Sequence, residues 1–339
     1  MQFLDKEIIM RQNIIDFKLG DMVSEFYLVK GSDVKTGKTG KHYLAIDLSD
    51  ATGVINAKKW DLYPSERDFI YGLKSRDVVR ITGKIGEFNG TLQMNIETIS
   101  PAVPGEGFDP SELFKTAPED SDSMYDFIIG RIRAFEDEDL KKVCLSFYEE
   151  NRDKLMYYPA AMRNHHAEYG GLIYHVKRMM MAGEKLCEVY TYLNKDLLLA
   201  GVALHDIEKL NEILSDENGV SPGYSTEGQM LGHLVMGAMV INNRCRELGI
   251  PREKSLLLEH MSLSHHYEPD FGSPKKPLFP EAEMLHYLDM MDAKMFDFEE
   301  TLKMVEPGEF SERVFQIDGR KLYNRSFERH FGRCRRRAQ

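Results

Sequence analysis

Residues 203–210 read Ala203-Leu204-His205-Asp206-Ile207-Glu208-Lys209-Leu210, directly after the apolar run Leu197-Leu198-Leu199-Ala200-Gly201-Val202. Such a run predicts a buried helix, and Asp196–Leu214 reads as one helix carrying the His-Asp pair. An ionised carboxylate against an apolar wall is costly unless something compensates it. Imidazole and carboxylate are both ligands for a divalent metal, which supplies that compensation. Read alone, a His-Asp pair is more often a solvated helix end. Its surroundings decide between the two.

From Ser123, read as a helix cap, the chain is mostly helical. Met124, Phe127, Ile128, Ile132 and Phe135 form the first apolar stripe. Further helices read as Asp139–Arg152, Gly171–Tyr192, Asp196–Leu214, Thr226–Leu248, Glu253–His265 and Glu281–Val305. Ligand-type residues recur on them among apolar neighbours: His175, then His205-Asp206, then His233, then His260 with His265-His266, then Asp289. A single buried histidine is more often a hydrogen-bonded core residue. Five helices each offering one point instead to a common site in the core of a bundle.

The order His175, His205-Asp206, Asp289 resembles the HD-domain metal-dependent phosphohydrolase superfamily. His165-His166-Ala167-Glu168-Tyr169-Gly170-Gly171-Leu172-Ile173-Tyr174-His175 looks like the YhaM-type 3′-5′ exoribonucleases. So do Tyr224-Ser225-Thr226-Glu227-Gly228-Gln229-Met230-Leu231-Gly232-His233 and the segment His260-Met261-Ser262-Leu263-Ser264-His265-His266, followed by Gly272-Ser273-Pro274-Lys275-Lys276-Pro277. That resemblance implies 3′-5′ hydrolysis of phosphodiester bonds in single-stranded RNA, with DNA a further substrate. It also implies two divalent ions. His175, His205, Asp206 and Asp289 are assigned to the first ion. Asp206 bridges to a second, held by His233 and one or more of His260, His265 and His266. His260 and His265 lie about 140° apart on a straight helix, so both reach the site only if the helix ends or bends; His265 is favoured. The nitrogen-rich set suits Mn, Fe, Co or Zn, and the resemblance favours Mn. Lys209, on the same helical face as His205, is assigned to phosphate oxygens in the transition state and is named with Asp206 as catalytic. One departure stands out: the family's usual His-Asp-Ile-Gly-Lys has Glu208 in place of glycine here. Glu208 either crowds the site, adds negative charge near phosphate, or faces away.

The N-terminal third reads differently. Met22–Val29, Tyr43–Leu48 and Val54–Lys58 are strands. Gly31–Lys41 reads as a long polar hairpin loop, and a short helix fits Pro64–Leu73. Two more strands, Val78–Ile85 and Thr91–Ile99, are joined across Asn89-Gly90, a tight-turn signal. Three strands, a helix and two strands is the order of an OB-fold barrel. The segment Leu44–Gly53 resembles the anticodon-binding type of OB domain, which implies single-stranded nucleic-acid binding. Stacking candidates are Phe26, Tyr43, Trp60 and Phe88; phosphate candidates are Lys41, Lys58, Lys59 and Lys84. Lys275 and Lys276, in the loop after the histidine cluster, are further candidates for the RNA backbone.

Pro and Gly break periodicity between these parts. The expected organisation is multidomain: an all-β OB-fold barrel over 14–100, a linker over 101–122, an all-α HD helical bundle over 123–325 and a basic tail over 326–339. The net charge of −11 argues against indiscriminate polyanion binding, so local patches must carry any nucleic-acid contact. Four scattered cysteines, with no CxxC pair, suit a reducing compartment. No leader pattern and no long apolar run is present, so a cytoplasmic protein without membrane contact is expected. Homo-oligomerisation is left open. Two other readings compete: an HD phosphohydrolase of small nucleotides with a regulatory OB module, and an RNA-binding protein with an impaired HD site.

Overall fold

A computed structural model describes residues 12–37, 40–74, 77–102, 113–162, 166–215, 221 and 223–327. They form two compact units that part between Pro118 and Glu119.

In the first unit, β1 (Met22–Thr36), β2 (His42–Ser49), β3 (Val54–Lys59), β4 (Val78–Phe88) and β5 (Thr91–Pro101) close into a barrel of order β1-β2-β3-β5-β4. β1 pairs antiparallel with β4 to complete the ring, and β3 pairs parallel with β5. This is the OB fold. Alternation along the strands puts Val79, Ile81 and Ile85 of β4 into a core with Tyr27, Leu44, Ile46, Leu48 and Met94. Ile70, on the short helix α1 (Arg67–Gly72) between β3 and β4, joins the same core. Asn89 (φ 52°) and Gly90 (φ 79°) make the two-residue turn between β4 and β5. Gly83 sits at a bulge, where a Cβ would lie 2.7 Å from the carbonyl oxygen of Asn95.

One strand differs from expectation. β1 does not stop at Val29: a register shift between Val29 and Gly31 lets it continue to Thr36, paired with β2. The segment read as a loop is therefore partly a hairpin arm. Its residues are intermediate or exposed, so no apolar alternation marks it as a strand.

The second unit is helical: α2 (Ser121–Arg133), α3 (Glu138–Glu150), α4 (Gly171–Val189), α5 (Lys195–Leu204), α6 (Thr226–Leu248), α7 (Arg252–Ser264) and α8 (Pro280–Lys303). Asp120, rather than Ser123, caps α2, its carboxylate accepting from Ser123 N. α5 is the axis of the bundle. Leu197 to Leu204 are all buried, and α2, α3, α4, α7 and α8 pack around them. The expected single helix Asp196–Leu214 is in fact broken. α5 ends at Leu204, residues 205–208 turn, Lys209–Glu212 make one helical turn, and Ile213–Leu214 pair as a strand with Gly223–Tyr224. The His-Asp pair thus sits at a helix end inside the bundle, where side chains can converge without following a helical period.

A C-terminal hairpin, Phe310–Val314 with Arg320–Tyr323, was not legible in the sequence. Its tip is anchored by the fully buried Ile317. Linker residues 103–112 and the basic tail from residue 328 lie outside the described residues. No helix among the described residues is long and apolar enough to cross a membrane.

Candidate metal centre

Two helix ends build the centre in the same way. His205 follows α5 and His265 follows α7, each as the C-cap. His205 Nδ1 lies 2.9 Å from Val202 O, and His265 Nδ1 lies 2.9 Å from Ser262 O. His266 Nδ1 lies 2.8 Å from Phe271 O. A carbonyl only accepts, so each Nδ1 carries a proton and Nε2 is the nitrogen left to ligate a metal.

His175 and His233 are oriented by carboxylates instead. His175, in the second turn of α4, has Nδ1 2.8 Å from Asp292 Oδ2. The same oxygen lies 2.8 Å from His166 Nε2, and Arg178 Nε lies 2.6 Å from Asp292 Oδ1. Gly171 lets His166 approach: a Cβ there would lie 2.1 Å from His166 O. His233 follows a break in α6 at Gly232 (φ 72°, ψ 156°). Glu212 uses both oxygens on it, accepting from His233 N at 3.1 Å and lying 2.8 Å from His233 Nδ1. One carboxylate thereby caps the restarted helix and fixes a histidine ring.

The inward atoms meet around Asp206. Its Oδ1 is 3.3 Å from His233 Nε2 and 3.7 Å from His265 Nε2, while its Oδ2 is 3.3 Å from His205 Nε2. His175 Nε2 is 3.3 Å from Asp289 Oδ1. Three interlocking groups, His175/His205/Asp206, His205/His265/Asp289 and His233/His265/His266, each bring ligand atoms within 4.8 Å of one another. Among the described residues, Nε2 of His205, His233 and His265 and Oδ1 of Asp206 are buried without a hydrogen bond. Leaving such atoms unpaired is costly. Imidazole nitrogens and carboxylates facing one another fit a divalent transition metal.

Electrostatics agree with that fit. Burial, then the neighbouring His266 and His205, hold His265 well below the usual imidazole range, in the neutral form that ligates. Burial opposes charge on Asp206, yet His205 and Lys209 hold it well below the carboxylate range. Asp289 is likewise held low against burial, chiefly by His175. His175 is the exception: against burial, Asp289 and Asp292 hold its pKa up to about 9, so an incoming cation displaces a proton there. A cavity of roughly 750 Å³ has Lys209, Glu212, His233, His265, His266 and Asp289 among its lining residues. Lys209 Nζ lies 2.7 Å from Asp206 Oδ2.

The comparisons with known proteins fall on both units. A model described as "OB-fold nucleic acid binding domain" matches residues 28–102, and one described as "HD domain" matches residues 172–294. The 3′-5′ exoribonuclease YhaM of Listeria innocua is 37% identical over 319 residues, covering 94% of this chain and 100% of that protein. Those of Geobacillus sp. and Bacillus velezensis are 36% and 34% identical, each over 94% of this chain and over 96% and 99% of theirs. This chain belongs to the YhaM family.

In this YhaM-family chain one expected ligand stands apart. His260 Nε2 accepts from Leu278 N at 3.1 Å, and its ring lies 5.5 Å from that of Phe279. α7 runs unbroken past it to Ser264, so the five-residue offset turns His260 away while His265 and His266, beyond the helix end, turn in. Asp292, His166, Arg178 and Glu212 were missed as supporting residues. Asp292 had a signal: three residues after Asp289, it shares a helix face with it.

Glu208 joins none of the ligand groups. It is buried, burial pushes its carboxyl pKa up, and both its oxygens lie 3.1 Å from Asn211 Nδ2. It does not line the cavity. Glu208→Gly is therefore expected to leave kcat/KM within about twofold, as for a change off the site. A loss or gain beyond tenfold in steady-state kinetics would show that Glu208 acts on the chemistry. Glu212→Gln is expected to weaken one metal site by about 10- to 100-fold, because an amide cannot satisfy both His233 N and Nδ1 as an acceptor. Calorimetric metal titration reads this; two unchanged affinities would remove Glu212 from the centre.

On the barrel, the Tyr43 and Trp60 rings stack at 4.7 Å, and Lys58 Nζ lies 5.4 Å from the Trp60 ring and 4.9 Å from that of Phe88. Trp60 and Phe88 are exposed. Phe26 belongs elsewhere: it packs against a separate cluster of Leu28, Leu113 and Phe114. Lys84 is exposed, but neither ring contact of the patch involves it. Lys59 is not a surface charge. It is buried, donates to Glu97 O at 2.7 Å and pairs with Glu66 at 3.4 Å. In the second unit Lys275 is exposed, and Lys276 lies 4.4 Å from the Tyr267 ring and 3.3 Å from Glu268.

Proposed function

We propose that this chain is a metal-dependent 3′-5′ exoribonuclease acting on single-stranded RNA. The observation that carries this reading is the convergence of three interlocking His and His/Asp groups around Asp206, of which His233, His265, His266 and Asp289 also line one cavity. The full-length likeness to proteins named as 3′-5′ exoribonucleases supplies the reaction and its direction. His175, His205, Asp206 and Asp289 would hold one ion; Asp206, His233, His265 and His266 would hold a second, with manganese favoured over iron, cobalt or zinc. Bound divalent ions supply Lewis acidity and an activated water. The protein's own groups do the rest. Asp292 and Glu212 fix the ring orientation of His175 and His233, and Lys209 offers an ammonium to the phosphate oxygens.

In this reading the Tyr43/Lys58/Trp60/Phe88 patch of the OB unit grips the strand by stacking and charge. A cytoplasmic setting fits the free Cys144, Cys187 and Cys245. The test is a 5′-labelled RNA oligomer incubated with manganese. A ladder that shortens from the 3′ end, and vanishes on chelation, is expected. Turnover of mononucleotides with the oligomer intact overturns the reading in favour of a small-nucleotide phosphohydrolase. A DNA oligomer run in parallel reads the sugar preference.

A further inference from the structure

The cavity that the metal ligands line also carries aromatic side chains. Tyr224, Tyr267 and Phe271 line it. Phe271 is the most exposed of the three, at 70%, although its backbone is tightly held. It closes a 3₁₀ turn, Pro269–Phe271, with Phe271 N donating to Glu268 O at 3.0 Å and Gly272 N to Pro269 O at 2.9 Å. Gly272 (φ 96°) carries the chain through a conformation that side chains rarely adopt. The Phe271 carbonyl accepts from His266 Nδ1 at 2.8 Å. One residue thus fixes a ligand histidine with its main chain and holds an apolar ring out at the cavity wall. Tyr224, also exposed, is placed by a similar device. It pairs with Ile213, the neighbour of the Glu212 that orients His233.

Large apolar rings presented to water from a tightly bonded backbone, beside polar ligand side chains, have a chemical reading. A nucleobase offers a flat π-face on one side of its sugar and a phosphate on the other. A ring fixed to the ligand shell can set the distance between the two. We propose that the Phe271 side chain is a stacking platform for a nucleobase at the end of the strand, and so a specificity-determining residue that selects base-bearing single strands. This rests on the exonuclease reading above. The base stacks on Phe271, its phosphodiester lies over the metal ligands, and Tyr224 lines the same cavity.

The test compares wild type with Phe271→Ala and Phe271→Trp on two oligomers of equal length: single-stranded RNA, and the same backbone with abasic sugars at its 3′ end. The main-chain bond to His266 survives both substitutions, so metal content, measured by elemental analysis, is expected to stay unchanged. Phe271→Ala is expected to raise KM for RNA about tenfold, the size of one lost base–aromatic stack, with kcat nearly unchanged. KM for the abasic oligomer stays put, and Phe271→Trp restores the RNA value. If wild type shortens RNA and Phe271→Ala does so with the same KM, or if KM rises equally for both oligomers, the platform is overturned while the exonuclease reading stands. If wild type leaves both oligomers whole in the presence of manganese, the exonuclease reading falls and the platform with it.

Discussion

Asp206→Asn is expected to lower RNA hydrolysis by about three decades, because several kcal/mol of charge stabilisation passes through this one carboxylate. Both of its oxygens are engaged. Oδ1 faces His233 and His265, and Oδ2 faces His205 and Lys209. Among the described residues Asp289 has a narrower reach: it pairs with His175 and shares a ligand group with His205 and His265. Asparagine keeps the volume, so the bundle should still pack, but its amide nitrogen is a donor and cannot ligate a cation. It also removes the charge that balances Lys209 in a buried setting. The purified variant should therefore carry less metal than wild type, with an unchanged circular dichroism spectrum. Hydrolysis within tenfold of wild type, or full metal content, would show that the centre does not turn on Asp206.

The parts of this centre that could be read in the sequence are those whose residue type conflicts with its neighbours. His175, His205, Asp206 and His233 sit in apolar runs, and a polar side chain in such a run demands an explanation. The barrel was legible for a similar reason: alternation in β4 and the Asn89-Gly90 turn are short-range signals. The order of strands and helices followed from them. What stayed hidden depends on where elements stop. Neither glycine nor proline marks the end of α7 at Ser264, so His260 stayed among the expected ligands although His265 was favoured. α5 ends at Leu204, but Ile207 and Leu210 keep up a helical spacing of apolar residues beyond it, so the turn that aims Asp206 looked like helix. Supporting residues were hidden differently. Glu212 and Asp292 are acidic residues on amphipathic elements, where a carboxylate is usually solvated. Only the Gly232 break and the approach of His166 across the fold, permitted by Gly171, bring them behind the ligands. Glu208 shows the converse: a conspicuous departure in sequence, it joins none of the ligand groups and bonds Asn211 instead.

Lys209 separates two roles that a static arrangement merges. Its ammonium is buried and 2.7 Å from Asp206 Oδ2, and it also lines the cavity. Burial opposes its charge, yet Asp206, with Asp289 and Glu212 further off, keeps its pKa above the ordinary lysine value. A lysine held protonated is a donor and a positive charge; it cannot serve as a general base. Lys209→Met keeps most of the stem and removes the charge. If Lys209 acts on the transition state, kcat should fall by roughly 10²-fold, the size of one lost donor to developing negative charge. Metal affinity should move the opposite way. Removing a positive charge beside a cation site relieves repulsion, and Asp206 becomes a more available ligand. Tighter metal binding with slower turnover is therefore the signature expected of Lys209→Met. If affinity and kcat fall together, Lys209 works by shaping the ligand set. If affinity rises and kcat holds, it is only the counter-charge that keeps Asp206 ionised when no cation is bound. A metal titration and single-turnover hydrolysis at saturating metal distinguish these outcomes on one pair of proteins.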